Sequence, residues 1–186
     1  MIFYGRPGTG KTSAVRIIEA CLDADPLELN GPVEAKIGDI RSKVERFASC
    51  VSLTGGPKIC FIDEAEFLSK PAQASLRYVI ENTSDHCRYL FTANDISKLD
   101  EALRSRLHCL CFDILPSQRV AVMNRLLPVY AAKLSTLGIK FDQRRLQELV
   151  AIYFPDFRTI ANRLEFEFGA PSFGDANPES QAAVSA

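Results

Sequence analysis

The residues with the clearest chemical potential lie near the start of the sequence, in a segment that matches the phosphate-loop pattern G-x-x-x-x-G-K-S/T. The segment reads Gly5-Arg6-Pro7-Gly8-Thr9-Gly10-Lys11-Thr12, and Ser13 follows it. Its glycines would let successive backbone N–H groups turn inward around a phosphate. Lys11 is expected to reach the β- and γ-phosphates of a nucleotide, and the Thr12 hydroxyl to bind Mg²⁺. We therefore expect residues 5–13 to bind a nucleoside triphosphate, a glycine-rich turn without a ligand being the alternative.

A pair of carboxylates marks a second candidate segment. The apolar run Ile59-Cys60-Phe61-Ile62 predicts a strand buried in a parallel sheet, beside the strand that precedes the phosphate loop. Asp63 and Glu64 would then emerge at the carboxyl edge of the sheet, where open α/β folds bind ligands. Asp63 is expected to hold Mg²⁺, and Glu64 to orient and activate the attacking water. A solvated acidic turn is the alternative, which the phosphate loop in the same chain disfavours.

The elements that must position these residues alternate along the first part of the chain. Strands are predicted at residues 2–4, 27–29, 59–62, 88–93 and 108–114, and helices at residues 11–22, 38–50 and 71–81. This alternation predicts βαβ units and therefore an α/β fold with a parallel sheet flanked by helices.

The pattern becomes helical after Pro116. Apolar stripes predict one helix over residues 117–137, a second that begins after Asp142 as its N-cap and runs through Tyr153, and a third over residues 157–168. Pro128 should kink or break the first of these. We predict a core at residues 1–114 and a lid of three helices at residues 115–168. The Gly-, Pro-, Ser- and Ala-rich residues 169–186 are expected to form a flexible tail.

Composition excludes several classes of protein. The 186 residues carry 22 Lys and Arg against 23 Asp and Glu, a net charge of −1, which excludes nucleic-acid binding through bulk positive charge. A hydrophobic fraction of 47% excludes disorder over the whole length. No apolar run reaches membrane-spanning length, and no signal peptide opens the sequence. The six cysteines form no CxxC pair and the sequence has only two histidines, which argues against a zinc site. Because no export signal is seen, a reduced, cytoplasmic setting is expected rather than a disulfide framework.

Taken in order, these motifs resemble the AAA+ ATPases of the clamp-loader branch, and more narrowly the large ATPase subunit of the sliding-clamp loader of T-even-type tailed phages. The resemblance runs from about residue 3 to about residue 168. Besides the phosphate loop, it rests on Leu27-Glu28-Leu29-Asn30, Phe47-Ala48-Ser49, Ile62-Asp63-Glu64, Thr92-Ala93-Asn94, Ser105-Arg106 and Phe154-Pro155-Asp156-Phe157-Arg158. It implies a P-loop AAA+ parallel sheet flanked by helices and followed by a small three-helix lid.

The resemblance also implies roles for three further residues. Asn94 matches the polar residue called sensor 1, which helps to position the attacking water. Arg106 matches an arginine finger that reaches the nucleotide of a neighbouring subunit. Leu107 follows it where the family has cysteine, and Arg104 competes for the role. Arg158 matches sensor 2, a lid arginine that contacts the γ-phosphate. The alternatives are an ordinary turn asparagine, a solvated basic turn and a surface arginine.

Further partners follow from the same resemblance. A glutamine matching Gln73 is expected to couple the ATP site to helices that face DNA, while Arg41 and Arg77 are candidates for DNA phosphate contacts. A solvated helix face is the alternative for all three. The implied cofactors are ATP and Mg²⁺. The implied partners are a sliding clamp, primer–template DNA and other loader subunits of the same and different kinds, in the cytoplasm of a phage-infected host, without a membrane.

Two departures from the family and two other functions remain open. The family has an adenine-side segment before the loop and a C-terminal collar, so we expect this chain to be the middle of a longer one. The alternatives are a structural loader subunit that does not hydrolyse ATP, and another AAA+ machine such as a helicase loader or a branch-migration motor.

Overall fold

The computed structural model describes residues 1–33, 37–52 and 55–169, so the predicted tail lies outside the described residues from residue 170 onwards. The chain divides into two compact units, Met1–Asp113 and the part that begins at Ile114. Each unit has its own hydrophobic core.

The first unit contains five strands and four α-helices in its described part. The strands are β1 (Ile2–Tyr4), β2 (Asp25–Asn30), β3 (Lys58–Asp63), β4 (Cys87–Ala93) and β5 (Cys109–Cys111). The helices are α1 (Lys11–Cys21), α2 (Ile37–Ser49), α3 (Lys70–Thr83) and α4 (Glu101–Arg104). Short 3₁₀ turns occupy Ala65–Phe67 and Ile96–Lys98. The predicted strands and helices therefore form, with α4 as an addition that the pattern did not indicate.

All five strands are parallel and lie in the order β2-β3-β4-β1-β5. The prediction that residues 59–62 lie beside residues 2–4 is wrong, because β4 lies between β3 and β1. Strand β4 is apolar on both faces and is buried at every residue except Arg88, so its burial requires a neighbour on each side. The residue that follows β4 consequently lies between the carboxyl ends of β1 and β3.

The strands alternate their side chains between two helical layers. On one face, Phe3, Ile59 and Phe61 pack with Val15 of α1. The opposite face contributes to a larger core with α2 and α3, whose members include Ile2, Cys60, Ile62, Ile40, Val44 and Leu76. This is a parallel sheet flanked by helices, and the predicted fold class is confirmed.

Strand β5 is shorter than predicted. The sequence pattern indicated residues 108–114, whereas the strand comprises only Cys109–Cys111. It is an edge strand that pairs with β1 alone, and β1 offers only the three residues Ile2–Tyr4 as partners. The length of β1 therefore limits the length of β5.

The second unit forms three α-helices between Ile114 and Gly169: α5 (Arg119–Thr136), α6 (Gln143–Tyr153) and α7 (Phe157–Phe168). Asp142 caps α6 as predicted, because its Oδ1 accepts the Arg144 N–H at 3.1 Å. The core of the unit comprises Tyr130, Leu134, Leu146, Leu149, Val150, Phe154, Ile160 and Leu164. Among the described residues, none of the helices combines the length and apolar character that crossing a membrane would require.

Pro128 does not break α5, contrary to one of the two outcomes that the sequence indicated. The helix continues through Pro128, which is exposed, as is Asn124 one turn earlier. The Asn124 carbonyl, which the proline leaves without its helical donor, can therefore bind water. The apolar face of α5, including Leu126, Tyr130 and Leu134, packs into the core and offsets the cost of the proline.

The buried side chains of α7, but not its exposed ones, should stabilise the second unit. Leu164 is fully buried, so Leu164→Ala should lower the free energy of unfolding by about 2–5 kcal/mol, through lost burial and a residual cavity. Phe166, on the same helix, is 82% exposed, and Phe166→Ala should change that free energy by less than about 0.5 kcal/mol. Urea unfolding measures the free energy of unfolding of each variant, and hydrogen exchange of the α5–α7 amides shows whether the change lies in the second unit. Equal effects of the two substitutions would contradict this packing.

Candidate active site

The phosphate-loop segment forms the turn between β1 and α1. Gly8 and Gly10 adopt φ angles of 78° and 88°, a left-handed conformation that glycine reaches without strain, and Gly10 is the N-cap of α1. The Arg6 N–H donates to Asp113 Oδ1 at 2.7 Å, and the Thr9 hydroxyl donates to the Arg6 carbonyl at 2.9 Å. These bonds fix the loop at the carboxyl edge of the sheet. Arg6, Pro7 and Ser13 are exposed on this turn.

The Lys11 side chain connects this loop to the end of β4. Its ammonium donates to the carbonyl oxygens of Gly5 and Arg6 at 2.8 and 2.9 Å, and to Asn94 Oδ1 at 2.9 Å. The residue is only 7% exposed. The structure therefore brings together Lys11 and Asn94, which the sequence predicts as partners in one site.

Thr12 and Asp63 form a second connection, between α1 and the end of β3. The Thr12 hydroxyl lies 3.2 Å from Asp63 Oδ1 and 3.4 Å from Oδ2. A hydroxyl and a carboxylate at this distance supply the hard oxygen ligands that Mg²⁺ prefers, usually with water completing the shell. The chemistry of this pair therefore fits the predicted metal.

Thr92 orients the acidic pair, and sequence analysis did not assign it a role. Its hydroxyl donates to Asp63 Oδ1 and accepts the Glu64 N–H at 3.0 Å. The residue is 1% exposed, so this hydroxyl is a polar group deep in an apolar strand. A threonine at the end of a buried strand, within the motif Thr92-Ala93-Asn94, was the available signal.

Glu64 adopts a left-handed backbone conformation, with φ 53° and ψ 45°. This region costs a residue with a Cβ about 1–2 kcal/mol. Neighbouring backbone holds it: Gly31 donates to the Asp63 carbonyl at 2.8 Å, and a Cβ on Gly31 would lie 2.3 Å from the Glu64 carbonyl oxygen. The half-buried Glu64 side chain is therefore directed by a constrained turn rather than by regular strand geometry.

A second residue that sequence analysis missed is Glu66. It is 8% exposed, and its Oε1 accepts the backbone N–H of Asn94 at 2.9 Å. Its Oε2 is buried without a hydrogen-bond partner among the residues that the structure describes. Glu66 fixes the backbone from which the Asn94 side chain extends towards Lys11. Nothing in Ala65-Glu66-Phe67 distinguishes this carboxylate from a surface acid.

The predicted arginine finger lies outside this hydrogen-bonded group. Arg106 follows α4, its side chain is 36% exposed, and its Nε donates to Glu81. The competing candidate, Arg104, has a buried Nε without a partner in the described part of the chain. Exposure therefore favours Arg106 for contacts outside its own chain.

Arg158 belongs to the second unit, in the first turn of α7, where it is exposed. The helix is capped by Asp156, whose Oδ1 accepts the Thr159 N–H at 2.9 Å. Arg158 is therefore not among the side chains that the first unit brings together.

Gln73 and the two candidate DNA contacts lie on the helical layer. Gln73 is 2% exposed; its amide donates to the carbonyls of Leu68 and Lys98, and its Oε1 accepts the Asp100 N–H at 2.7 Å. Arg41 is exposed and donates to Glu45 at 2.8 Å, while Arg77 is half-buried.

Thr92→Val tests the geometry around the acidic pair. Valine keeps the shape of threonine but leaves the Glu64 N–H without its acceptor and removes one of the two hydroxyl donors to Asp63 Oδ1. The unpaired N–H should lower the free energy of unfolding by about 1–3 kcal/mol. We expect magnesium-dependent nucleotide turnover to fall about tenfold or more, measured as kcat at saturating nucleotide and Mg²⁺.

Thr136→Val is the control. The Thr136 hydroxyl donates to the Ala132 carbonyl at 2.9 Å within α5, in the second unit, and its loss should leave kcat within about twofold. Wild-type turnover in Thr92→Val would show that the hydroxyl does not hold the acidic pair.

Comparison with known proteins gives this geometry a family. The profile of the "ATPase family associated with various cellular activities (AAA)" matches residues 1–112. The chain is 33% identical over 181 residues to the replication factor C small subunit of Archaeoglobus fulgidus, which covers 94% of this chain and 54% of that protein. It is 33% identical over 174 residues to replication factor C subunit 3 of Oryza sativa subsp. japonica, covering 89% and 46%. The chain thus spans about half the length of the curated relatives it matches.

A solved structure supports the same fold. A RuvB variant from Thermotoga maritima covers 89% of this chain and 60% of its own, with a TM-score of 0.60 and 19% identity. At that identity the likeness concerns the fold alone. Because the family profile matches most of the sequence, residues 1–112 of 186, the chain belongs to the AAA family of ATPases.

Proposed function

We propose that this chain is the ATP-hydrolysing subunit of a sliding-clamp loader, in which turnover drives opening of the clamp and its placement on primer–template DNA. The observation that carries the proposal is the hydrogen-bonded group at the carboxyl edge of the sheet, where Lys11 contacts Asn94 and Thr12 contacts Asp63. Membership of the AAA family supports nucleotide hydrolysis, and similarity to replication factor C small subunits supports a role in replication.

In this proposal, residues 5–13 and the positive end of α1 bind the phosphates of ATP. Lys11 contacts the β- and γ-phosphates. Thr12 and Asp63 hold Mg²⁺, which when bound neutralises negative charge on the phosphate oxygens. Two hydrogen bonds order the loop before ATP binds: Asp113 accepts the Arg6 N–H, and the Thr9 hydroxyl donates to the Arg6 carbonyl within the loop. Less conformational entropy is then lost when ATP binds.

Glu64 is the proposed general base. It accepts a proton from the water that attacks the γ-phosphorus, the bond to the bridging oxygen breaks, and ADP and phosphate leave. Asn94 would orient that water through its side-chain amide. Glu66 holds the backbone N–H of Asn94, and Lys11 donates to its side-chain oxygen. Thr92 would fix the Asp63 carboxylate and the Glu64 backbone relative to one another.

The remaining assignments concern assembly. Arg106 would reach the nucleotide of a neighbouring subunit, so that active sites form between like and unlike loader subunits. Arg158, in the lid proposed at residues 115–168, is the proposed sensor of the γ-phosphate. Arg41 and Arg77 are the proposed contacts to primer–template phosphates.

The narrower parts of the proposal have different support. A phage origin and a host-cytoplasmic location rest on the sequence resemblance alone, and the relatives named above are archaeal and plant proteins. The presence of both Glu64 and Arg106 favours a hydrolysing subunit over a purely structural one.

Two substitutions in the full-length protein, assembled with its partner subunits, test the proposed chemistry. Lys11→Ala should weaken ATP binding at least about tenfold, because a charged phosphate contact is lost. Glu64→Gln should retain ATP affinity but lower kcat about 100-fold or more, because the amide cannot accept the proton. ATP binding is measured by fluorescent-nucleotide titration, and kcat by phosphate release with clamp and primed DNA present.

Lys140→Ala removes an exposed lysine outside the site and should leave both quantities unchanged. Unchanged phosphate release in Lys11→Ala and Glu64→Gln would refute the active site. Hydrolysis that responds to DNA but never to a clamp would instead favour another AAA+ machine.

A further inference from the structure

An ion pair joins the end of α3 to the segment that follows α4. The Nε of Arg106 donates to Oε1 of Glu81, and its Nη1 donates to the Ala102 carbonyl at 2.7 Å and to the Ser105 hydroxyl at 3.2 Å. Both ionic side chains are partly exposed, 36% for Arg106 and 44% for Glu81. Surface ion pairs of this kind contribute little to folding stability. The effect of this pair on the direction of the Arg106 side chain can therefore be considered apart from stability.

The bonds leave one part of the guanidinium available. Nε and Nη1 are both engaged within the chain, whereas Nη2 makes no hydrogen bond to any residue that the structure describes. A guanidinium carries five N–H donors in a rigid planar arrangement, so fixing Nε and Nη1 also fixes the direction of Nη2. Glu81 thus determines where the unused donors of Arg106 point.

Helix α3 is attached to the Arg106 segment at a second place. Gln73, eight residues before Glu81 and about 12 Å away along the helix, donates to the Lys98 carbonyl and accepts the Asp100 N–H. The attachment through Gln73 is shielded from solvent because Gln73 is buried, whereas the attachment through Glu81 is exposed to solvent. The segment from Lys98 to Arg106 is therefore held along one face of α3.

We propose that Glu81 is a positioning residue for catalysis in trans: it orients Arg106 towards the nucleotide bound by a neighbouring subunit. This inference rests on the proposed role of Arg106. In this proposal, the carboxylate of Glu81 fixes the direction of the arginine that one subunit offers to the nucleotide of the next.

The test measures kcat and KM for ATP in the complete assembly, with clamp and primed DNA. Glu81→Gln should lower kcat about tenfold, because a misdirected catalytic group loses most of its effect. KM should stay within about twofold, because ground-state ATP binding does not use Arg106. Glu81→Asp keeps the carboxylate and should recover part of kcat. Glu81→Gln/Arg106→Ala should be no slower than Arg106→Ala alone, since the two residues act as one unit.

Glu167→Gln is the matched control. Glu167 also pairs with an arginine Nε, that of Arg145 at 2.8 Å, with side-chain exposures of 34% and 41%. Its loss should leave kcat unchanged. Thermal unfolding of each variant shows whether the fold is retained.

The outcomes separate the two levels of the proposal. If Arg106→Ala lowers kcat but Glu81→Gln matches the wild type or exceeds it, the positioning role is overturned and the trans arginine stands. A double variant slower than Arg106→Ala would show that Glu81 acts by another route, which also overturns the role. If Arg106→Ala retains full kcat, the trans arginine fails, and the inference about Glu81 fails with it.

Discussion

The geometry of this site depends on the carboxyl end of β4. Thr92 of β4 supplies its hydroxyl to the acidic pair, and Asn94, the residue that follows β4, supplies its amide oxygen to Lys11. These bonds reach the end of β3 on one side and, through Lys11, the loop that follows β1 on the other, because β4 lies between β1 and β3. Thr92 is 1% exposed, so its hydrogen bonds meet little competition from water. Asn94 is exposed, and its side chain is held by Lys11 while its backbone N–H donates to Glu66. A small displacement of β4 would therefore loosen the phosphate loop and the acidic pair together.

Local strain is concentrated at the same edge of the sheet. Glu64 occupies a left-handed conformation, and Glu66 carries a buried oxygen without a partner in the described part of the chain. Each is unfavourable for folding on its own. The surrounding sheet, with its cores on both faces, supplies the stability that allows them. One of these residues is the proposed general base and the other holds the backbone of Asn94, so the surrounding structure fixes both before a ligand binds, as a preorganised site requires.

Much of this arrangement could be predicted from the sequence. Apolar runs and their spacing located the strands and helices. Motif spacing identified Lys11, Thr12 and Asp63, and the family resemblance pointed to Asn94; the structure brings these four residues together. Strand order was beyond local patterns, because it depends on contacts between residues that are distant in the chain, and β3 was wrongly placed beside β1. Thr92 and Glu66 were missed for the same reason: their importance comes from which backbone N–H they accept. The roles of all these residues remain predictions.

The central position of β4 also bears on how the site could fail. In a sheet, sliding one strand by a single residue turns every side chain of that strand to the opposite face. For β4, such a slip would bury the wrong apolar set and remove Thr92 and Asn94 from their partners in the same movement. The packing of residues such as Phe91 against the helical layer therefore maintains the positions of the site residues as well as the fold. A slip of this strand would therefore cost core packing and the hydrogen bonds of the site at the same time.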